Sequence, residues 1–373
     1  MTYEPSDRVF LDLMDTVDGN YLKRSLRVIF TDIKRTIRIL ATRPSLFIAG
    51  SRILLHRKKA AKLRRKAKAD GLDIPTIMLV SITSQCNLSC PSCYMQQREI
   101  RAEPEMNLHE LRSLVSQAED LGTTVISLVG GEPLLRKSEV TDLARTFPKI
   151  LFTLSTNGLL IDTKVAEDIA GCANIIPFIS FEGFQKETDN CRGQGVYDRL
   201  LNACSLLDER VLFFGCAITV SRSNIREVLD EPFIRTMLHA GARAFIFIQY
   251  VPVKPGTEDL VPTAEQRELL KRSMYEFNRK YPAFFIGIPG DMELFGGCLA
   301  AGRGFIHVSP YGDLEPCPIV PLSDANLREM PLKDALQSRI LETIRRNHRS
   351  LHANGRCALR THPRWLEELL SME

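Results

Sequence analysis

Six short apolar runs alternate with amphipathic stretches between residues 76 and 250, and this alternation limits the fold more than any other feature of the chain. The runs are TIMLVSI (76–82), TVISLV (124–129), ILFTLS (150–155), IIPFIS (175–180), VLFFGCAIT (211–219) and AFIFIQY (244–250). Each is apolar nearly throughout rather than at every second position, as in strands buried on both faces. Stretches between them, such as LHELRSLVSQAEDL (108–121) and VYDRLLNACSLLDE (196–209), repeat their apolar residues at helical spacing. Doubly buried strands alternating with helices predict an α/β fold, a parallel sheet covered by helices. Six such units predict a partial (β/α)6 barrel of TIM type, with its chemistry at the C-terminal strand ends.

The 373-residue chain extends beyond these units on both sides. The reading divides it into a basic helical N-terminal arm (1–74), the barrel (75–290) and a small C-terminal domain (291–373). Residues 22–69 hold sixteen Lys or Arg against one acid, Asp32, while the remainder is net acidic. Leu22, Leu26, Ile29, Phe30, Ile33, Ile37 and Leu40 fall on one helical face, with Lys23, Arg24, Arg27, Lys34, Arg35 and Arg38 largely off it. Such a helix either lies on an anionic membrane surface or packs onto the barrel with its charges solvated. Gly71 and Pro75 mark the exit from the arm. No run of 18 apolar residues suggests a membrane span, and the acidic start MTYEPSDRVFLDLMD lacks a signal-peptide pattern. The expected location is cytoplasmic, peripheral to a membrane through residues 22–69.

Ten cysteines in such a chain favour metal ligands and core thiols over disulfides. Cys86, Cys90 and Cys93 stand in C-x3-C-x2-C order directly after the first run. Four thiolates close a structural zinc site, whereas three leave a coordination position open. A compact loop could wrap three thiolates around one corner of a [4Fe–4S] cube; a zinc knuckle with a remote fourth ligand is the alternative. After the second run come Gly130, Gly131, Glu132 and Pro133. The glycines would let a ligand approach the backbone and Glu132 could accept from an ammonium, although a plain β-turn would look the same. Cys298, Cys317 and Cys357 lie in a C-terminal stretch that reads as a hairpin or irregular turn stabilised by a metal centre. Cys172, Cys191, Cys204 and Cys216 are scattered and read as buried or loop thiols. His307 reads as a satisfied core histidine, and Trp365 as the anchor of a terminal helix.

Together, C-x3-C-x2-C after the first strand and GGE after the second make residues 76–373 resemble the radical S-adenosylmethionine (SAM) superfamily. The resemblance implies a [4Fe–4S] cluster on Cys86, Cys90 and Cys93, whose open iron is chelated by the amino and carboxylate groups of SAM. It implies reductive cleavage of SAM, with the resulting 5′-deoxyadenosyl radical abstracting a substrate hydrogen. It further assigns SAM contacts to Gly130, Gly131, Glu132 and Pro133, to Ser155 and Asn157 in LSTNG, and to Ser180, Glu182 and Arg192 in the fourth-strand segment. Thr219 and the backbone around Tyr250 fall where the family holds ribose or adenine. Many members carry an aromatic just before the third cysteine; here that position is Ser92, and Tyr94 follows instead. Gly312 to Cys317 match the G-x4-C element of SPASM-type auxiliary domains. With three cysteines, Cys298, Cys317 and Cys357, the shorter "twitch" version and a second [4Fe–4S] cluster are implied. A low-potential donor such as a flavodoxin or ferredoxin is the implied electron source, and a peptide, protein or membrane-associated small molecule the substrate. The competing classes are a non-catalytic iron–sulfur redox protein and a zinc-stabilised nucleic-acid binder. The arm's few aromatics leave base stacking little to work with, so no nucleic-acid partner is expected.

Overall fold

The computed structural model describes residues 45–288, 298–351 and 356–371. The six apolar runs become β1 (Ile77–Thr83), β2 (Val125–Gly130), β3 (Leu151–Thr156), β4 (Ile175–Phe181), β5 (Gly215–Val220) and β6 (Ala244–Gln249). Three more strands follow: β7 (Phe284–Ile288), β8 (Phe305–Val308) and β9 (Leu314–Glu315). Among the described residues these form one sheet in the order β7-β6-β5-β4-β3-β2-β1-β8-β9. All neighbours from β7 to β8 are parallel, and β9 returns antiparallel to β8. The sheet does not close on itself, so the expected partial barrel is what forms.

The helices are α1 (Ser45–Ala69), α2 (Leu108–Leu121), α3 (Lys137–Thr146), α4 (Thr163–Ala170), α5 (Gln185–Arg192), α6 (Val196–Glu209), α7 (Ile225–Val228), α8 (Glu231–His239) and α9 (Ala264–Lys280). The C-terminal part adds α10 (Leu332–Ala335), α11 (Arg339–Asn347) and α12 (Pro363–Ser371). Helix α2 shows why the periodic stretches fold as read. Asn107 and Glu110 form a capping box, worth about 1 kcal/mol. Leu111, Leu114, Val115 and Ala118 make its buried face, and Gly122 ends it at φ 103°. Along the strands, Met78, Val80, Ile126, Leu128, Phe152 and Leu154 are fully buried beneath the helices. Alternate positions, such as Ser127 and Thr153, which hydrogen-bond at 2.9 Å, face the inside of the barrel.

Over its C-terminal half, α1 packs on the barrel. Ala60 and Ala61 are buried, and buried Arg64 donates to the Gly122 carbonyl at the end of α2. Lys58, Lys59, Lys62 and Lys66 are exposed. For residues 56–69 the structure therefore shows a docked helix with a solvated basic face. The apolar stripe from Leu22 to Leu40 lies outside the described residues. Among the described residues no helix is long and apolar enough to cross a membrane.

Three local expectations shift. The fifth strand begins at Gly215 rather than 211, because Val211 takes φ 54° in the turn that leaves α6. The expected C-terminal hairpin is present as β8 and β9, with Gly312 at φ 94° in its turn. Its first strand, however, also extends the main sheet beside β1. Leu332, Leu336, Ile340, Leu341 and Ile344 bury into the same core as the barrel, and Trp365 packs against that core from α12.

Candidate active site

The cysteine loop leaves β1 at the C-terminal edge of the sheet. Glu105 clamps its two ends together, accepting from the backbone N–H and the hydroxyl of Ser84 at 2.7 and 2.6 Å. Within the loop Cys86 is exposed, and Cys90 and Cys93 are half-buried. The Cys86 sulfur accepts from the Leu88 N–H at 3.4 Å and from the Asn157 side-chain amide at 3.8 Å. Donors of this kind stabilise a thiolate ligand. Among the described residues no three His, Cys, Asp or Glu side chains are gathered closely enough to hold a single metal ion. Three loop thiols, with hydrogen-bond donors aimed at one of them, are a donor set that suits an iron–sulfur cluster with one iron left open.

The two glycines after β2 lie against this loop. Gly131 donates to the Thr83 carbonyl at 2.8 Å, and Glu132 donates to the Gln85 carbonyl at 2.7 Å. A Cβ on Gly131 would run into the Gln85 carbonyl, and Gly130 adopts φ 127°, so both positions require glycine. Pro133 opens a short 3-10 turn. Glu132 is fully buried, and its two oxygens accept from the N–H groups of Asn157 (2.7 Å) and Leu134 (2.9 Å) and from the Thr156 hydroxyl (2.8 Å). Burial pushes its carboxyl above the usual range while those three bonds pull it back. Its carboxylate thereby joins β2 to β3. Through that joint Asn157 reaches the cysteine loop, donating to Asn87 Oδ1 at 2.7 Å. Ser155 lies one step back in β3, half-buried, on the inner side.

At the end of β4, Ser180 is half-buried and Glu182 is buried in an ion pair with Arg192 at 2.7 Å. Burial raises the Glu182 carboxyl, and the guanidinium opposes it. The Arg192 Nε is buried with no hydrogen-bond partner among the described residues, and the guanidinium interacts electrostatically with Cys90 and Cys191. An unpartnered cationic donor beside the thiols fits a ligand carboxylate. Asn224 ties the ends of β4 and β5 together, donating to the carbonyls of Glu182 and Thr219, both at 2.8 Å. Tyr250 is buried, donating from its hydroxyl to Thr257 Oγ1 at 2.9 Å, while its own N–H holds the Val220 carbonyl. The residues expected at successive strand ends are therefore brought to one edge of the sheet.

The C-terminal thiols form a second group. Cys298, Cys317 and Cys357 are buried and close enough to interact: burial raises all three, and Cys317 feels both of the others. The Cys298 thiol is pushed up to about 12. Three buried thiols with no competing disulfide are a donor set that a cluster would deprotonate.

A buried polar chain joins the two groups, and no feature of the sequence reading anticipates it. Arg98, five residues after Cys93, forks onto Glu315, two residues before Cys317, and also donates to the Pro318 carbonyl. Glu315 accepts from His307 Nδ1 at 2.7 Å, and His307 Nε2 accepts from the Ser81 hydroxyl at 2.8 Å. A carboxylate only accepts, so Nδ1 carries a proton, and with a neutral ring Nε2 is the acceptor for Ser81. Burial keeps it so by lowering the imidazole, against the pull of Glu315. His307 is thus the satisfied core histidine expected. The Tyr94 hydroxyl end is buried between Cys93 and this pair, and burial raises it. Of the four scattered cysteines, Cys172, Cys204 and Cys216 are core thiols, but Cys191 stands beside Cys90.

Residues 80–230 match the Radical SAM superfamily. The chain is similar to the AdoMet-dependent heme synthase of Methanosarcina barkeri, 27% identical over 314 residues that cover 76% of this chain and 88% of that protein. It is also similar to the mycofactocin maturase MftC of Mycolicibacterium smegmatis, 29% identical over 262 residues covering 66% of this chain and 65% of the maturase. Among solved structures, SuiB of Streptococcus suis bound to the precursor peptide SuiA aligns with a TM-score of 0.62 over 78% of this chain and 70% of that one. At 21% identity this is a likeness of fold.

Proposed function

We infer that this chain, a radical SAM enzyme, holds its [4Fe–4S] cluster on Cys86, Cys90 and Cys93 and binds SAM against the strand ends around them. The observation that carries the assignment is the buried, unpartnered Arg192 Nε beside the cysteine loop. When bound, the cluster and SAM would supply one-electron reductive cleavage of SAM and hydrogen abstraction. The chain's residues orient and shield. Arg192 would receive the SAM carboxylate, and Gly130 and Gly131 would leave backbone open to its methionine part. Ser155, Ser180 and Thr219 face its polar groups from inside the barrel. Asn157 steadies Cys86 while Glu132 fixes Asn157. In the anaerobically reconstituted protein, a low-potential reductant should release 5′-deoxyadenosine and methionine from SAM. A cluster-loaded protein that binds no SAM would overturn the reading.

The substrate we propose is a peptide presenting an uncharged group. Support comes from the names of similar proteins, a maturase and a precursor-peptide complex. It comes also from the inner wall, where Ser127, Thr153, Ile176, Ala217, Ile246 and Ile286 are all uncharged.

Cys298, Cys317 and Cys357 are proposed to hold a second cluster. Replacing Cys86, Cys90 and Cys93 together by alanine should then leave about four irons per chain and an iron–sulfur absorption band. A folded but iron-free triple variant rules the second cluster out.

For the basic arm we propose attachment to an anionic membrane surface through residues 22–69. Its C-terminal half offers a solvated basic face, and each Lys near such a surface contributes about 1 kcal/mol. Intact protein should sediment with anionic vesicles at low salt and not at high salt, and a version lacking residues 1–44 should sediment less. Intact protein that stays in the supernatant at low salt makes the arm purely structural.

A further inference from the structure

The two ends of the cysteine loop are held by parts of the chain far apart in sequence. Its entry is fixed by near neighbours: Glu105 on Ser84, and the N–H groups of Gly131 and Glu132 on the carbonyls of Thr83 and Gln85. Its exit runs into a 3-10 turn, Tyr94–Gln97, which Cys93 opens. The Cys93 carbonyl accepts from the Gln96 N–H at 3.3 Å, and the Met95 carbonyl from the Arg98 N–H at 3.1 Å. A turn this short does not hold itself, because fixing its dihedrals costs more than its few bonds contribute. Buried Met95 anchors it on one side and the Arg98 side chain on the other. The Arg98 guanidinium forks onto Glu315 and donates to the Pro318 carbonyl from Nη2 (3.0 Å) and Nε (3.3 Å), gripping residues on both sides of Cys317. The segment that follows lies along the same hairpin. Arg101 donates its N–H to the Tyr311 hydroxyl at 3.1 Å and pairs with Asp313 at 2.8 Å, and the Met106 N–H holds the Pro310 carbonyl at 2.8 Å.

We propose that Arg98 is a positioning residue for the loop cluster, setting Cys93 from the β8–β9 hairpin. Cys86 owes its place to Asn157 and to the glycine turn after β2. Cys93 owes its place to a turn whose far end is tied to Glu315, 217 residues beyond Arg98. The planar guanidinium, bonded to both Glu315 oxygens and to a carbonyl, is left one orientation, so it fixes direction as well as charge. A lysine there would supply the charge through a single point contact. Without the fork the turn frays, and the Cys93 sulfur wanders from the corner of the cube that it should hold. A cube is rigid, so play at one corner displaces the others, including the open iron that faces Arg192. Arg98 thus acts on the site through the turn.

The inference rests on Cys93 being a cluster ligand, yet its first test needs no cluster. Two full-length variants are compared with wild type. Arg98→Lys keeps the charge, and Arg98→Met with Glu315→Leu leaves no charge buried. Hydrogen exchange of the cluster-free proteins, read by mass spectrometry, should be several-fold faster in both variants over residues 93–98 and unchanged over α2 and β3. Unchanged exchange at 93–98 overturns the proposal. A rise shared equally by α2 and β3 also overturns it, because Arg98 would then only stabilise the whole fold. In the second test the proteins are reconstituted, matched for iron and reduced, and their electron paramagnetic resonance is recorded with and without SAM. At a SAM concentration that saturates wild type, the portion of the signal that shifts should be several-fold smaller in both variants. An equal shift in all three overturns the effect on the cluster. If wild type takes up no iron at all, the cluster reading fails while the exchange data still decide whether Arg98 holds the exit of the loop.

Discussion

Alanine at Cys90 is expected to bring conversion of SAM to 5′-deoxyadenosine down to background in the anaerobically reconstituted enzyme. With three thiolates in the loop, losing one leaves two anchors on a cube that already has an iron without a protein ligand. Losing an outer-shell partner of a metal site typically costs 10–100-fold, so losing a ligand should cost at least about 100-fold. Iron measured on the same samples separates a lost cluster from a misplaced one. Alanine at Cys204 is the matched control: that thiol is buried in the core on α6, and cleavage should stay near wild type. Cleavage by the Cys90 variant within tenfold of wild type would remove Cys90 from the ligand set.

The second large effect concerns stability. Arg98 and Glu315 are 11% and 4% exposed, so their ion pair is nearly dry. Arg98→Ala leaves the Glu315 carboxylate buried with only a neutral imidazole to donate to it. Breaking a buried pair from one side typically costs about 3–5 kcal/mol. A urea titration should show the midpoint falling accordingly. Arg98→Lys should recover part of the loss, keeping the charge but not the two-pronged geometry. Arg98→Met with Glu315→Leu should also recover part, since it leaves no buried charge behind. A midpoint unchanged in Arg98→Ala would mean that the pair is hydrated in solution.

What the sequence made legible follows from the range of the forces involved. Helices α2 and α6 match their expected limits because periodicity and caps act over three or four residues. Strands β1 to β4 and β6 were readable because their runs are apolar at most positions, with only short polar steps such as Ser127 and Thr153. Strand β8 was readable as one arm of a hairpin, but its place beside β1 was not, since no local pattern encodes a partner so distant in sequence. The cysteine loop and GGE were readable as local motifs. The function of the buried Glu132 was not, because its acceptors' partners belong to β3 and to the turn after it. Cys191 and Arg98 depend on contacts 99 and 217 residues away along the chain, which no local pattern encodes.

The pairing of β1 with β8 also bears on the order in which the site can be made. Strand β1 carries the cysteine loop, and its two sheet neighbours are β2, close by in sequence, and β8, which is synthesised last of the parallel strands. During synthesis β1 therefore waits as an open edge until residues 305–308 emerge, and Ser81 waits for His307. A growing chain can thus assemble β1 to β7 and still lack the strand that fixes one flank of its cysteine loop. A cysteine loop held between two sheet neighbours therefore exists only once residues 305–308 have been made.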